Sequence, residues 1–162
     1  MLVISDTSPL NYLILIDAVD VLATMYQRVV IPTAVADELS ALGTPAKTKL
    51  WFANRPSWLE VHTASNPSHY PDLDAGESQA ISLAKQLRAN LLLIDERRAT
   101  QIARELENLP TTGTLGLLLD AATLGLLNLP LTLSRLQTET TFYAPPTLYE
   151  QILQEHQRRI RS

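Results

Sequence analysis

Short unbroken apolar runs alternate along this chain with amphipathic stretches, and that alternation predicts the fold. Leu2-Val3-Ile4-Ser5, Arg28-Val29-Val30-Ile31, residues 59–62 and Leu91-Leu92-Leu93-Ile94 read as buried strands, with a weaker run near 110–113. Helical patterns fill the intervals. Buried strands separated by helices predict a parallel sheet covered on both faces. Pro9 and Pro32 each stand just beyond a strand, where a first helical turn accepts proline. Asp74 is a candidate cap for a helix running from Ala75 to about Arg88, and Asn90 suits a left-handed stop. Residues 64–72 are turn-rich and read as an exposed loop. A break at Ala144-Pro145-Pro146 sets off a last amphipathic helix, about 147–160, with Leu148, Ile152 and Leu153 on its apolar side.

Four carboxylates interrupt this apolar pattern. Asp6 ends the first strand and Asp95 ends the fourth. Glu38 lies on the stripe Val35-Leu39-Leu42, whereas Asp37 points about a hundred degrees away. Glu77 shares a face with Ala80, Ile81 and Ala84. Carboxylates at buried positions are costly unless a positive partner compensates them, and a divalent cation held by all four is one such partner. In an open parallel sheet, ligands bind outside the strand carboxyl ends where strand order reverses. Asp6 and Asp95 converge there if the first and fourth strands are neighbours. Separate roles compete: Asp6 as a helix cap, and Glu77 as a first-turn partner of the helix amides. Thr7 and Ser8 offer hydroxyls that orient Asp6 or cap the following helix.

Composition narrows the chemistry. At 162 residues the chain makes one domain. It has no cysteine, so a metal site must use oxygen ligands or the three histidines, whose spacing fits no metal motif. Hard oxygen ligands select Mg²⁺ or Mn²⁺, and such ions polarise phosphate and activate water for phosphodiester hydrolysis. Arg97 and Arg98, just past Asp95, are candidates for holding substrate phosphate. A net charge of −4 speaks against nucleic acid, yet Lys85, Arg88, Arg97, Arg98 and Arg104 make a local basic patch, and Arg158, Arg159 and Arg161 another. Trp51 and Trp58 are expected at a core edge rather than stacked on bases. Absence of a signal-like N-terminus and of any membrane-length apolar run leads us to expect a cytoplasmic protein.

The order and spacing of four segments resemble PIN-domain proteins. These are Val3-Ile4-Ser5-Asp6-Thr7-Ser8-Pro9-Leu10, Val30-Ile31-Pro32…Val35…Glu38-Leu39, Leu73-Asp74-Ala75-Gly76-Glu77…Ala80-Ile81, and Leu91-Leu92-Leu93-Ile94-Asp95-Glu96-Arg97-Arg98. Gly113-Thr114-Leu115-Gly116 fits the same branch, which is related to the VapC toxins of toxin–antitoxin pairs. The resemblance implies a three-layer α/β/α sandwich around a mostly parallel sheet of four to five strands. It places a PIN-like domain at 1–144, with a C-terminal helix and basic tail at 145–162 packed on the domain or on a partner. It further implies a Mg²⁺- or Mn²⁺-dependent ribonuclease using Asp6, Glu38, Glu77 and Asp95, supported by Thr7 or Ser8. Homodimers and a partner antitoxin go with that family. The alternative is a non-catalytic PIN-like module that binds RNA or protein. Two other phosphate chemistries fit poorly. A haloacid-dehalogenase-type phosphatase needs an Asp where Ser8 stands, and a receiver domain needs a Lys after its acceptor, whereas Lys85 precedes Asp95.

Overall fold

The computed structural model describes residues 1–162 and has a five-stranded, all-parallel sheet. Its strands are β1 (Leu2–Ser5), β2 (Arg28–Pro32), β3 (Leu59–His62), β4 (Leu91–Leu93) and β5 (Thr111–Thr112). The spatial order is β3-β2-β1-β4-β5. From β1 the chain steps outward through β2 to β3, then crosses back to build β4 and β5 on the other side. Strand order therefore reverses between β1 and β4, where Ser5 stands in register with Leu93. The first and fourth strands are neighbours, as convergence of Asp6 and Asp95 requires.

Two apolar layers flank this sheet, and the two-residue period of the strands deals side chains alternately to each. Val3, Val29, Ile31 and Leu93 join one core with α1 (Thr7–Leu15), α2 (Val21–Tyr26), α3 (Thr33–Leu39), α4 (Ala46–Ala53), α7 (Thr114–Thr123), α8 (Leu129–Glu139) and α9 (Pro146–Arg161). Ile4, Val30 and Leu92 join the other with α5 (Ala75–Gln86) and α6 (Arg97–Gln101), which runs into a wider turn at Ile102–Leu106. The α/β sandwich is thus lopsided, with one well-filled layer and one thin layer. No helix is long and apolar enough to cross a membrane. Trp51 and Trp58 lie 5.9 Å apart, packed against the larger core.

Several local expectations are corrected. The stripe through Val35 and Leu39 does not reach Leu42, which is 98% exposed because α3 ends at Leu39. The left-handed residue closing α5 is Arg88 (φ 52°), not Asn90. Asn90 instead bonds the start of β1: its side-chain oxygen accepts from the Leu2 amide, and its own amide donates to the Leu2 carbonyl. On α9 the buried residue is Tyr149, while Leu148 is exposed. That helix lies against α7 and α8, and Arg159 bridges to Asp120 of α7 at 2.8 Å.

Candidate active site

Four carboxylates reach the carboxyl edge of the sheet by different routes. Asp6 follows β1 directly, and its amide donates to the Leu93 carbonyl at 2.9 Å, tying it to the end of β4. It is 5% exposed and stands at the cap position of α1 without making a side-chain cap bond, which removes the capping explanation. Glu38 projects from α3, half-buried, while Asp37 faces solvent as the helical period requires. Thr7 Oγ1 donates to Glu38 Oε2 at 2.7 Å. Thr44 Oγ1 holds the Glu38 carbonyl, so the helix end carrying this acid is pinned from both sides.

Glu77 and Asp74 form a reciprocal capping box at the start of α5. Asp74 Oδ1 accepts from the Glu77 amide at 2.8 Å, and Glu77 Oε1 accepts from the Asp74 amide at 3.0 Å. The helix-start role weighed for Glu77 is therefore real and occupies one of its two oxygens. Between these acids sits Gly76, whose missing side chain leaves room for the Glu38 carboxylate. A Cβ there would collide with Glu38 Oε1 and lie 3.5 Å from Asp6 Oδ1. The first turn of α5 thus lies directly against the Asp6–Glu38 pair.

Asp95 is organised differently. Its Oδ1 accepts from the Thr114 amide at 2.7 Å and its Oδ2 from the Thr114 hydroxyl at 2.6 Å. A Cβ on Gly113 would stand 2.7 Å from Oδ1, so this clasp also depends on a missing side chain. Asp95 joins the end of β4 to the start of α7.

Electrostatics separate the two arrangements. Burial pushes Asp6 from an ordinary 3.8 up to about 7. The Thr7 amide opposes that rise, while Glu77, Glu38 and Asp74 add to it by repulsion. Glu38 is raised by burial and by Asp74, against the pull of the Thr7 hydroxyl. Glu77 is raised by burial, opposed by the Asp74 amide, and raised again by Asp74, Glu96 and Glu38. Asp95 is raised by burial alone, and both Thr114 donors counter it. Asp6, Glu38 and Glu77 therefore share one electrostatic neighbourhood, with Asp74 as an additional member. None of the four predicted acids has a lysine, arginine or histidine as a salt-bridge partner.

The donor set suits a hard divalent cation: oxygen ligands only, a buried Asp6 without a counter-charge, and a cradle at Gly76 that a Cβ would fill. As the side chains stand, no three His, Cys, Asp or Glu groups are close enough to form a ready-made cation site. The Thr7 hydroxyl bonds Glu38 rather than Asp6, and Ser8 lines a neighbouring cavity with Asp95 and Arg97. Arg98 is engaged by Asp72 at 3.2 Å and Gln101 at 2.9 Å, which leaves Arg97 as the arginine facing that cavity.

Sequence reasoning treated Asp74 only as a cap and did not give Thr114 its part in holding Asp95. The Asp-x-x-Glu spacing of Asp74 and Glu77 was the available signal for the first. For the second, it was a Gly-Thr pair directly after the fifth strand.

A family model described as PIN domain (DUF3368) matches residues 2–158. Among solved structures, the chain is similar to a PilT N-terminus domain protein from the hyperthermophilic archaeon Sulfolobus solfataricus. The TM-score is 0.52 at 17% identity, covering 89% of this chain and 100% of that one. At that identity the likeness speaks for the fold. No curated protein matches.

Proposed function

Since this chain belongs to the PIN-domain family, whose members are usually nuclease-like, we propose that it is a metal-dependent ribonuclease that hydrolyses RNA phosphodiesters. The observation that carries this reading is the uncompensated acid group at the strand-order switch: Asp6, Glu38 and Glu77 gathered around a glycine, with no basic side chain among them. A protein gains no stability from keeping like charges together in a buried place. Such a group is retained when something cationic is to be held.

Asp6, Glu38 and the free oxygen of Glu77 are the residues that would hold Mg²⁺ or Mn²⁺, with Asp95 on the neighbouring strand β4 lining the adjacent cavity. The ion would supply charge neutralisation and Lewis-acid polarisation of the phosphate and the attacking water. The chain's own residues do the rest. Thr7 fixes the Glu38 carboxylate through its hydroxyl. The Asp74–Glu77 box fixes the direction of Glu77. Thr114 fixes Asp95. Arg97, without a salt bridge of its own, offers its guanidinium to a phosphate oxygen from the rim. The same reading extends to a homodimer and to a protein antitoxin as partner.

A non-catalytic binding module is the second reading, and one observation favours it: both Asp95 oxygens are taken by Thr114. Cleavage of labelled single-stranded RNA in millimolar Mn²⁺ or Mg²⁺ decides between the two. The enzyme reading expects metal-dependent products from wild type, abolished by chelation and by Asp6→Asn. Equal residual cleavage by wild type and Asp6→Asn in both metals would sink it.

A further inference from the structure

Two cavities meet the acidic residues. Thr7 and Glu38 line one of about 320 Å³, while Ser8 and Asp95 line another of about 790 Å³. The larger has walls that phosphodiester hydrolysis alone does not require. Tyr12, Leu115, Phe142, Tyr143 and Leu148 supply an aromatic and aliphatic surface. Glu96 and Arg97 supply a polar edge beside Asp95. Phe142 is fixed edge-on against Tyr12, with ring centres 5.1 Å apart at 85°. Tyr143, the next residue, is 82% exposed and belongs to no aromatic pair. An exposed, unpartnered ring that shares a cavity with an arginine free of salt bridges gives that cavity a flat apolar face and a positive charge.

We propose that this cavity seats an unpaired nucleobase of single-stranded RNA, stacked on Tyr143, with Arg97 on the adjoining phosphate and the scissile linkage at Asp6, Glu38 and Glu77. The proposal rests on the nuclease reading and names the part of the substrate recognised beside the reacting bond. Three features select this occupant. The cavity is lined by Asp95, at the end of β4, and by Ser8, two residues beyond Asp6. Its volume lies within the range of roughly 300–1,000 Å³ common for sites that enclose small ligands. Its chemistry is mixed: an apolar protein segment would bury the guanidinium of Arg97 without a partner, at a desolvation cost. A nucleotide brings a phosphate for that guanidinium and a flat base for the exposed ring of Tyr143. Stacking accepts any base, because every base has a π-face. A paired base cannot enter, since its ring is held within the helix.

The test measures binding apart from cleavage. Fluorescein-labelled single-stranded RNA is titrated in chelator, and affinity is read from anisotropy for wild type, Tyr143→Ala, Tyr143→Phe and Arg97→Ala. Tyr143 is exposed, so a thermal melt unchanged from wild type is expected to confirm folding. Loss of one stacked base weakens binding about tenfold. We expect Tyr143→Ala to show that loss, Tyr143→Phe to retain wild-type affinity, and Arg97→Ala to flatten the salt dependence. An RNA carrying abasic sites should bind wild type as weakly as intact RNA binds Tyr143→Ala, with no further loss in the variant. Duplex RNA of the same sequence should be indifferent to Tyr143.

Unchanged affinity of Tyr143→Ala for single strands overturns the base site. So does a change of molar mass in light scattering, with affinity intact, which would make this face a protein contact. Metal-dependent cleavage assayed in parallel keeps the two ideas apart. A Tyr143 effect without cleavage by any form refutes the nuclease reading, whereas cleavage without a Tyr143 effect refutes only the base site.

Discussion

Replacing Asp6 by asparagine should stabilise the metal-free protein at neutral and alkaline pH. Asp6 is buried among acids, and its proton affinity rises from an ordinary 3.8 to about 7. Each tenfold change in proton affinity corresponds to about 1.4 kcal/mol, so keeping Asp6 ionised costs the folded state about 4 kcal/mol. Relaxation around the charge reduces this, and we expect about 2–4 kcal/mol in practice, a rise in Tm of roughly 5–15 °C for a chain of this size. The sign follows from linkage. A carboxyl whose proton affinity is raised on folding contributes stability below its unfolded value of 3.8. That contribution is lost as pH climbs through about 7. Asparagine cannot lose it. The assay is a pair of thermal melts in chelator across pH 4 to 8. The two curves should nearly coincide at the acid end and separate progressively toward pH 8, with the variant higher. Millimolar Mn²⁺ should then raise wild type and leave Asp6→Asn where it was. A variant less stable than wild type at pH 8 in chelator would refute the electrostatic reasoning, whatever its activity.

Other consequences follow from the same contacts. Gly76→Ala drives a methyl into the Glu38 carboxylate; because that carboxylate is the far end of a flexible chain, stability should change by only about 1 kcal/mol. Its Mn²⁺-induced rise in Tm should nonetheless fall by at least half, and an unchanged rise would show that Glu38 is not a ligand. Thr114→Val deletes the hydroxyl that serves Asp95 Oδ2 in a fully buried place, at a cost of about 1.5–3 kcal/mol. Denaturant melts at pH 7 should show it, and the loss should shrink toward acid as Asp95 takes up a proton. Thr7→Val frees Glu38 Oε2, so metal-dependent cleavage should drop about tenfold while the melt moves by less than about 1.5 kcal/mol. A large loss of fold in place of that pattern would make Thr7 structural.

Much of this arrangement was legible in the sequence because it depends on period. Two-residue alternation dealt Val3 and Ile4 to opposite layers, and the helical turn separated Glu38 from Asp37. The unbroken apolar runs before Asp6 and Asp95 marked strands that proved to be neighbours. What escaped depends on contacts between distant segments, which leave no local trace. Arg98 turned to Asp72, 26 residues earlier, and Thr114 closed on Asp95 from 19 residues later. The stripe through Leu42 failed because a helix end is set by competing turn bonds, here Ser40, Ala41 and Thr44 folding back over α3. The rotation of α9 that buries Tyr149 instead of Leu148 is fixed by the surface it rests on, and an apolar pair one residue apart cannot announce which member turns inward.

The edge-on contact between Tyr12 and Phe142 has a consequence for how this molecule can be taken apart. It fastens the segment leading into the closing helix to the first helix after Asp6. All four acids lie within residues 6–95, yet one side of the neighbouring hollow is made from residues 142–148. A chain cut after residue 140 would keep those four acids and lose the ledge beside them. Reactivity and grip would come from opposite ends of the polypeptide, joined through these rings and through the packing of α9 on α7 and α8.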